Sequence, residues 1–144
     1  SFIAHIGVGV MIIGVTFSSI YQKEYNFNIE VGDKVSLENK ILKFNDMQII
    51  EEKNYQSLKA NISIKKKNGN IIYIKPGKNY YPVSKMITTE AGIYHDWFKD
   101  IYITLGSENN NIWFIRVLIN PLVSFIWLGV IIMVFSSAIA VIKK

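Results

Sequence analysis

The sequence has 144 residues, half of them hydrophobic, with no cysteine and a formal net charge of +5. The missing cysteine excludes thiol chemistry, cysteine-ligated zinc and any disulfide framework within this chain. A single soluble domain is excluded by how the charge is distributed: all 11 acidic residues, and every basic residue except Lys143 and Lys144, lie between Tyr21 and Leu118.

The first apolar segment runs from Phe2 to Ile20 and holds one ionisable residue, His5. Its length as a helix is about 30 Å, the hydrocarbon thickness of a bilayer. It is apolar on all faces, and with a second such segment in the chain no small domain could bury both. There is no basic n-region and no small-residue cleavage site, so the segment does not read as a signal peptide. Ser1 in place of a start Met points to a piece of a longer polytopic protein.

From Tyr21 to Leu118 the hydrophobic pattern has period two rather than 3.6. Phe27, Ile29 and Val31 alternate with polar residues before a Gly32-Asp33 turn. Val35, Leu37, Ile41, Leu42 and Phe44 continue the strand signal, followed by Met47, Ile49 and Ile50. Ile62 and Ile64 alternate up to Asn68-Gly69, and Ile72 and Ile74 return, which predicts a hairpin with a type I′ turn. Pro76-Gly77 and Pro82 break the next stretch. Ile101, Ile103 and Leu105 form another strand closed by Gly106, and Trp113 to Leu118 one more. Six or seven short antiparallel strands favour a small β-barrel or sandwich, with an OB-like fold as one form.

The second apolar segment, Leu122 to Ile142, is free of ionisable residues. Pro121 stands at its entrance, where a first-turn proline costs no hydrogen bond. Trp127, with Trp113 and Phe114 upstream, suggests an interfacial aromatic belt, and Lys143 and Lys144 close the far end. By the positive-inside rule those lysines face the cytoplasm and the middle lies outside, in the periplasm of a Gram-negative cell. The expected organisation is a transmembrane helix over 1–20, an external β domain over 21–118, and a second helix with a short basic end over 119–144.

The basic excess suggests no nucleic-acid partner. Lys65-Lys66-Lys67 directly precedes the Asn-Gly turn and reads as a solvated hairpin tip, and no basic face with stacking aromatics accompanies it. His5 is the residue most charged with chemistry, because an ionisable side chain inside a span is costly and marks function by default. Imidazole is a common axial ligand of haem iron. Gly9 lies one turn on, and Gly7 and Gly14 also thin the helix, as a flat macrocycle beside its ligand would require. The other reading makes His5 a packing residue and the glycines a helix–helix contact. His95, in Tyr94-His95-Asp96-Trp97, reads as a polar surface residue, and Glu90 and Asp96 make no convincing acid–base pair. Tyr80, Tyr81, Trp97, Phe98 and Tyr102 concentrate aromatics that could form core, a docking face or a surface resting on the bilayer.

Tyr81-Pro82-Val83-Ser84-Lys85-Met86, Thr88-Thr89-Glu90-Ala91-Gly92-Ile93 and Asp100-Ile101-Tyr102-Ile103-Thr104-Leu105-Gly106 resemble the C-terminal part of CcmF-type cytochrome c biogenesis proteins. So do Asn120-Pro121-Leu122-Val123, Ile126-Trp127-Leu128-Gly129 and the opening Ala4-His5-Ile6-Gly7-Val8. The motifs follow family order over essentially the whole chain. The resemblance implies a subunit of the cytochrome c haem lyase in the bacterial inner membrane, with CcmH, CcmI, holo-CcmE and apocytochrome c as partners. It implies that His5 is one of two axial ligands of a membrane-embedded haem b, the other lying on a helix upstream of Ser1. The family's tryptophan-rich external segment and its flanking histidines are not in this chain, so the chain is not expected to catalyse haem ligation alone. If haem plays no part, the same sequence would serve as a membrane-anchored β-domain adaptor.

Overall fold

A computed structural model describes residues 2–142; Ser1, Lys143 and Lys144, and with them the lysines used above to orient the chain, lie outside the described residues. Two long helices, α1 (Phe2–Ile20) and α2 (Val123–Ile142), enclose ten strands in sequence. These are β1 (Lys23–Ile29), β2 (Lys34–Leu37), β3 (Lys40–Glu51), β4 (Gln56–Lys65), β5 (Ile71–Ile74), β6 (Gly77–Tyr81), β7 (Met86–Glu90), β8 (Gly92–His95), β9 (Lys99–Asn109) and β10 (Ile112–Pro121). The chain divides into a helical unit, which holds both helices and the short segment His95–Asp100, and a sandwich unit, Glu24–Tyr94 with Ile101–Leu118.

In the helical unit the two helices touch through backbone. A Cβ on Gly129 would stand 2.6 Å from both the Gly7 carbonyl oxygen and the Met11 nitrogen, and one on Gly14 would stand 2.7 Å from the Ile126 nitrogen. Small residues permit such an approach, which gathers dispersion and weak backbone contacts where lipid offers no hydrophobic drive. Both helices are long and apolar enough to cross a membrane.

The sandwich unit is built from two antiparallel sheets, ordered β1-β10-β9-β8 and β2-β3-β4-β6-β7, with β5 also paired to β4. Strand β4 gives one edge to β3 and divides the other, Ile62–Lys65 pairing with β5 and Gln56–Lys59 with β6. The break falls at Lys75-Pro76, and the Ala60 N–H donates to the Pro76 carbonyl across it at 2.9 Å. Period-two alternation turns Leu37, Leu42, Phe44, Ala60, Ile62, Ile64 and Ile74 inward from one sheet. Ile29, Ile101, Ile103, Leu105, Ile115 and Val117 turn inward from the other. Each of the larger side chains contributes about 1.5–3 kcal/mol of burial.

The expected antiparallel sandwich is present, with corrections. Among the described residues there are ten strands rather than six or seven, because the proline-broken stretch after Pro76 still forms β6, β7 and β8. Pro76 precedes β6 and Pro82 follows it, in positions where a missing N–H interrupts no ladder. The hairpin after Ile64 has a three-residue loop, not a type I′ pair: Gly69 N–H donates to the Lys66 carbonyl at 3.0 Å and Gly69 alone takes φ +86°. The lysine run is not wholly solvated, since the Lys66 ammonium donates to the Tyr94 hydroxyl at 2.9 Å and lies 4.8 Å from its ring centroid. Gly106 does not end its strand but lies inside β9, with Phe114 of β10 packed over it. Pro121 ends β10 instead of opening α2; Leu122, at φ +56°, makes the corner.

Replacing Gly129 with Val drives a branched carbon into two backbone atoms of α1. It should cost about 1–3 kcal/mol and lower the thermal midpoint of the solubilised protein. Gly9→Ala meets open space and should leave the midpoint unchanged or raised. Differential scanning fluorimetry of the two variants separates these outcomes.

Candidate functional site

The two histidines occupy different settings. His5 sits on the second turn of α1 and is exposed. At 100° per residue, Gly7 and Gly14 project to the side of the helix opposite His5, and these are the two α1 glycines buried against α2. Gly9 lies only 40° round from His5, and a Cβ there would meet nothing within 4 Å. The glycines predicted as one group therefore do two jobs. Gly7 and Gly14 take the helix–helix role, while Gly9 and His5 share the open face.

That face tests whether this chain's residues suit a haem. One imidazole with a strip of bare backbone beside it is what a planar macrocycle needs on one side of its iron. No group of three or more His, Cys, Asp or Glu able to hold a metal ion occurs among the described residues. His5 is the one histidine within either long helix, so a second imidazole ligand would come from another element.

His95 belongs to a different arrangement, one that sequence reasoning missed. Its Nδ1 lies 2.9 Å from Asp100 Oδ2, with the imidazole 71% exposed and the carboxyl group only 3%. The bond fixes which ring nitrogen faces the acid and leaves Nε2 on the open side. The β8–β9 turn sets this geometry. Asp96 N–H donates to the Lys99 carbonyl at 3.1 Å, and Trp97 N–H to Asp96 Oδ1 at 2.8 Å. The turn is tied to the start of α2, where Leu122 N–H donates to the Phe98 carbonyl at 2.8 Å and Ser124 Oγ to the Asp96 carbonyl at 3.3 Å. Beside it opens a cavity of about 320 Å³, lined by His95, Trp97, Asp100, Ser124, Trp127 and Leu128 among others. The signal for Asp100 was weak: an acid directly before a strong strand pattern reads as solvated. Glu90 forms an ion pair with Lys59 at 3.4 Å and takes no part.

The aromatic concentration does not form core. Trp97 and Phe98 are 58% and 64% exposed, Tyr80 is exposed, and Tyr81 and Tyr102 are half-buried. Tyr81 stacks obliquely on Tyr55 at 5.2 Å. Trp113 and Phe114 are half-buried on β10, Phe114 against Gly106. Ile49 pairs with Leu58, and Tyr80 with Ile87, all on the face of the larger sheet that also carries Ala60 and Ile62. They line a cavity of about 300 Å³.

A family model described as the CcmF C-terminal beta-sandwich matches residues 20–121. The cytochrome c-type biogenesis protein CcmF of Pseudomonas aeruginosa is 32% identical over 143 residues, covering 99% of this chain and 22% of that protein. CcmF of Escherichia coli is 30% identical over 137 residues, 93% of this chain and 21% of its own length. A solved cytochrome c haem lyase CcmF superposes with a TM-score of 0.78 at 15% identity, over 91% of this chain and 22% of that one, and so has the same fold. The chain spans about a fifth of the length of these relatives.

Removing the imidazole leaves a buried carboxyl group without its partner. His95→Ala should therefore cost about 1–3 kcal/mol. Asp100→Asn, which keeps an acceptor oxygen, should cost less. Hydrogen exchange at the Trp97–Lys99 amides, faster in the first variant than in the second, checks the local character of the loss.

Proposed function

The chain belongs to the CcmF family, and on that premise we propose that it acts in cytochrome c biogenesis as the C-terminal portion of a haem lyase subunit. It contributes one axial ligand, His5, to a haem b held within the membrane. The observation that carries this reading is the open face shared by His5 and Gly9, opposite the glycines that pack on α2. The second ligand comes from another helix, in keeping with His5 being one donor. Bound there, the haem supplies one-electron redox chemistry. The residues of this chain hold and orient it: His5 through a ring nitrogen, Gly9 by letting a planar group approach the backbone, and α2 by bracing the far side of α1.

The two helices cross the bacterial inner membrane, with 21–118 in the periplasm and Lys143 and Lys144 at the cytoplasmic end. In this reading haem arrives on holo-CcmE and passes to apocytochrome c outside the membrane. The sandwich docks CcmH or CcmI, because the sandwich unit contains no histidine or cysteine to ligate haem but does expose apolar side chains at Ile49, Tyr80 and Ile87.

In the full-length protein His5→Ala should abolish or strongly weaken a bis-histidine b-type optical spectrum, while His95→Ala leaves it in place. Retention of the full spectrum by His5→Ala refutes the ligand assignment and favours the adaptor reading, in which the β domain works without haem. For the docking face, a photo-crosslinker at Tyr80 or Ile87 should capture CcmH or CcmI in intact membranes. Persistent failure to capture either protein counts against that face.

A further inference from the structure

The β8–β9 turn presents a surface that neither the haem reading nor partner docking uses. Its position is set by hydrogen bonds to the first residues of α2, from Leu122 N–H to the Phe98 carbonyl and from Ser124 Oγ to the Asp96 carbonyl. Trp97 and Phe98 therefore stand at the helix mouth, and Trp127 follows one turn inside. All three are more than half exposed, at 58%, 64% and 67%. In water this is an unfavourable concentration of aromatic surface; at the boundary between lipid headgroups and acyl chains, indole rings are at their most favourable.

The neighbouring cavity is graded in the same direction. Its polar lining, His95, Asp100 and Ser124, stands at the start of α2, and its apolar floor follows the helix through Trp127 and Leu128 to Ile131. From Val123 to Ile131 the helix rises about 12 Å, enough to accompany the upper part of an acyl chain. No charged side chain occurs between Pro121 and Ile142, so nothing along that floor opposes a hydrocarbon occupant.

We propose that the β8–β9 turn and the first turns of α2 form a lipid-binding surface seated at the headgroup–acyl boundary. Its ligand is a bilayer phospholipid whose upper acyl chain lies against Trp127, Leu128 and Ile131, with its headgroup toward the polar end at His95–Asp100. The ligand class follows from continuity: an apolar helix that spans the bilayer brings lipid to its own first turns, and the aromatic turn is bonded to those turns. This inference rests on α2 being a span.

The chain has no cysteine of its own, so nitroxide labels can be placed singly. The probe is the full-length protein, freed of cysteines elsewhere, in bilayers of phosphatidylethanolamine and phosphatidylglycerol. Labels go in through Trp97→Cys and Phe98→Cys, with Ile139→Cys on α2 and Val83→Cys on a 99% exposed loop as references. Collision rates with oxygen and with a water-soluble nickel chelate give depth. At 97 and 98 the oxygen-to-nickel ratio should be several-fold above that at 83 and below that at 139. Nickel access equal to that at 83 places the turn in water and overturns the proposal. Exclusion of both reagents means that protein covers the turn, and overturns it equally. A water-like ratio at 139 instead removes the span on which the proposal rests, so the two failures are told apart.

Discussion

The backbone approach of α1 to α2 is the constraint on which the functional reading depends. With Gly129 leaving no room for a Cβ against Gly7 and Met11, only one azimuth of α1 can face its neighbour. The opposite azimuth, which carries His5 and Gly9, is consequently the exposed one. Had the glycines clustered on the side of His5, the histidine would face α2 and the cofactor reading would lose its support. A packing requirement in one helix pair thus decides which side chain is offered to the rest of the membrane protein.

The sandwich obeys a different constraint, the closure of its inner faces. Branched and aliphatic residues from both sheets fill one core, while Ile49, Tyr80 and Ile87 of the larger sheet stay in the open. Such exposure is costly in an isolated domain and reasonable in a subunit with partners. The smaller sheet ends in the β8–β9 turn, where Asp100 is buried and bonded to His95. That polar pair, with the bonds that hold Asp96 and Phe98, orders a turn that presents Trp97 and Phe98 outward.

Several features were legible because they are local. Two uniformly apolar stretches and a period-two middle already specify helices around strands, and the family motifs name the same arrangement. The interior positions of β3, β4, β9 and β10 follow directly from alternation. The strands after Pro76 were not legible, because proline was weighed as a breaker where it in fact marks strand ends. Asn68-Gly69 does not form a two-residue turn because dipeptide preference does not count the residues between paired positions; the last ladder pair, Lys65 with Ile71, encloses five residues, and the bond from Lys66 N–H to the Asn70 carbonyl leaves three at the tip.

His5 was visible from composition alone, as the one ionisable residue in an apolar helix, and Gly9 from its spacing. The separation of Gly9 from Gly7 and Gly14 needed the partner helix, since a glycine's role depends on what stands where its side chain would be. His95 and Asp100 needed tertiary structure still more. Five residues apart across a turn, their meeting depends on how β8 and β9 pair and on the bonds that draw Phe98 and Asp96 to the start of α2. Sequence by itself therefore determined the elements and the unusual residue, through periodicity and solvation cost. Only tertiary structure decided which residues face one another, because that is set by packing between segments distant in the chain.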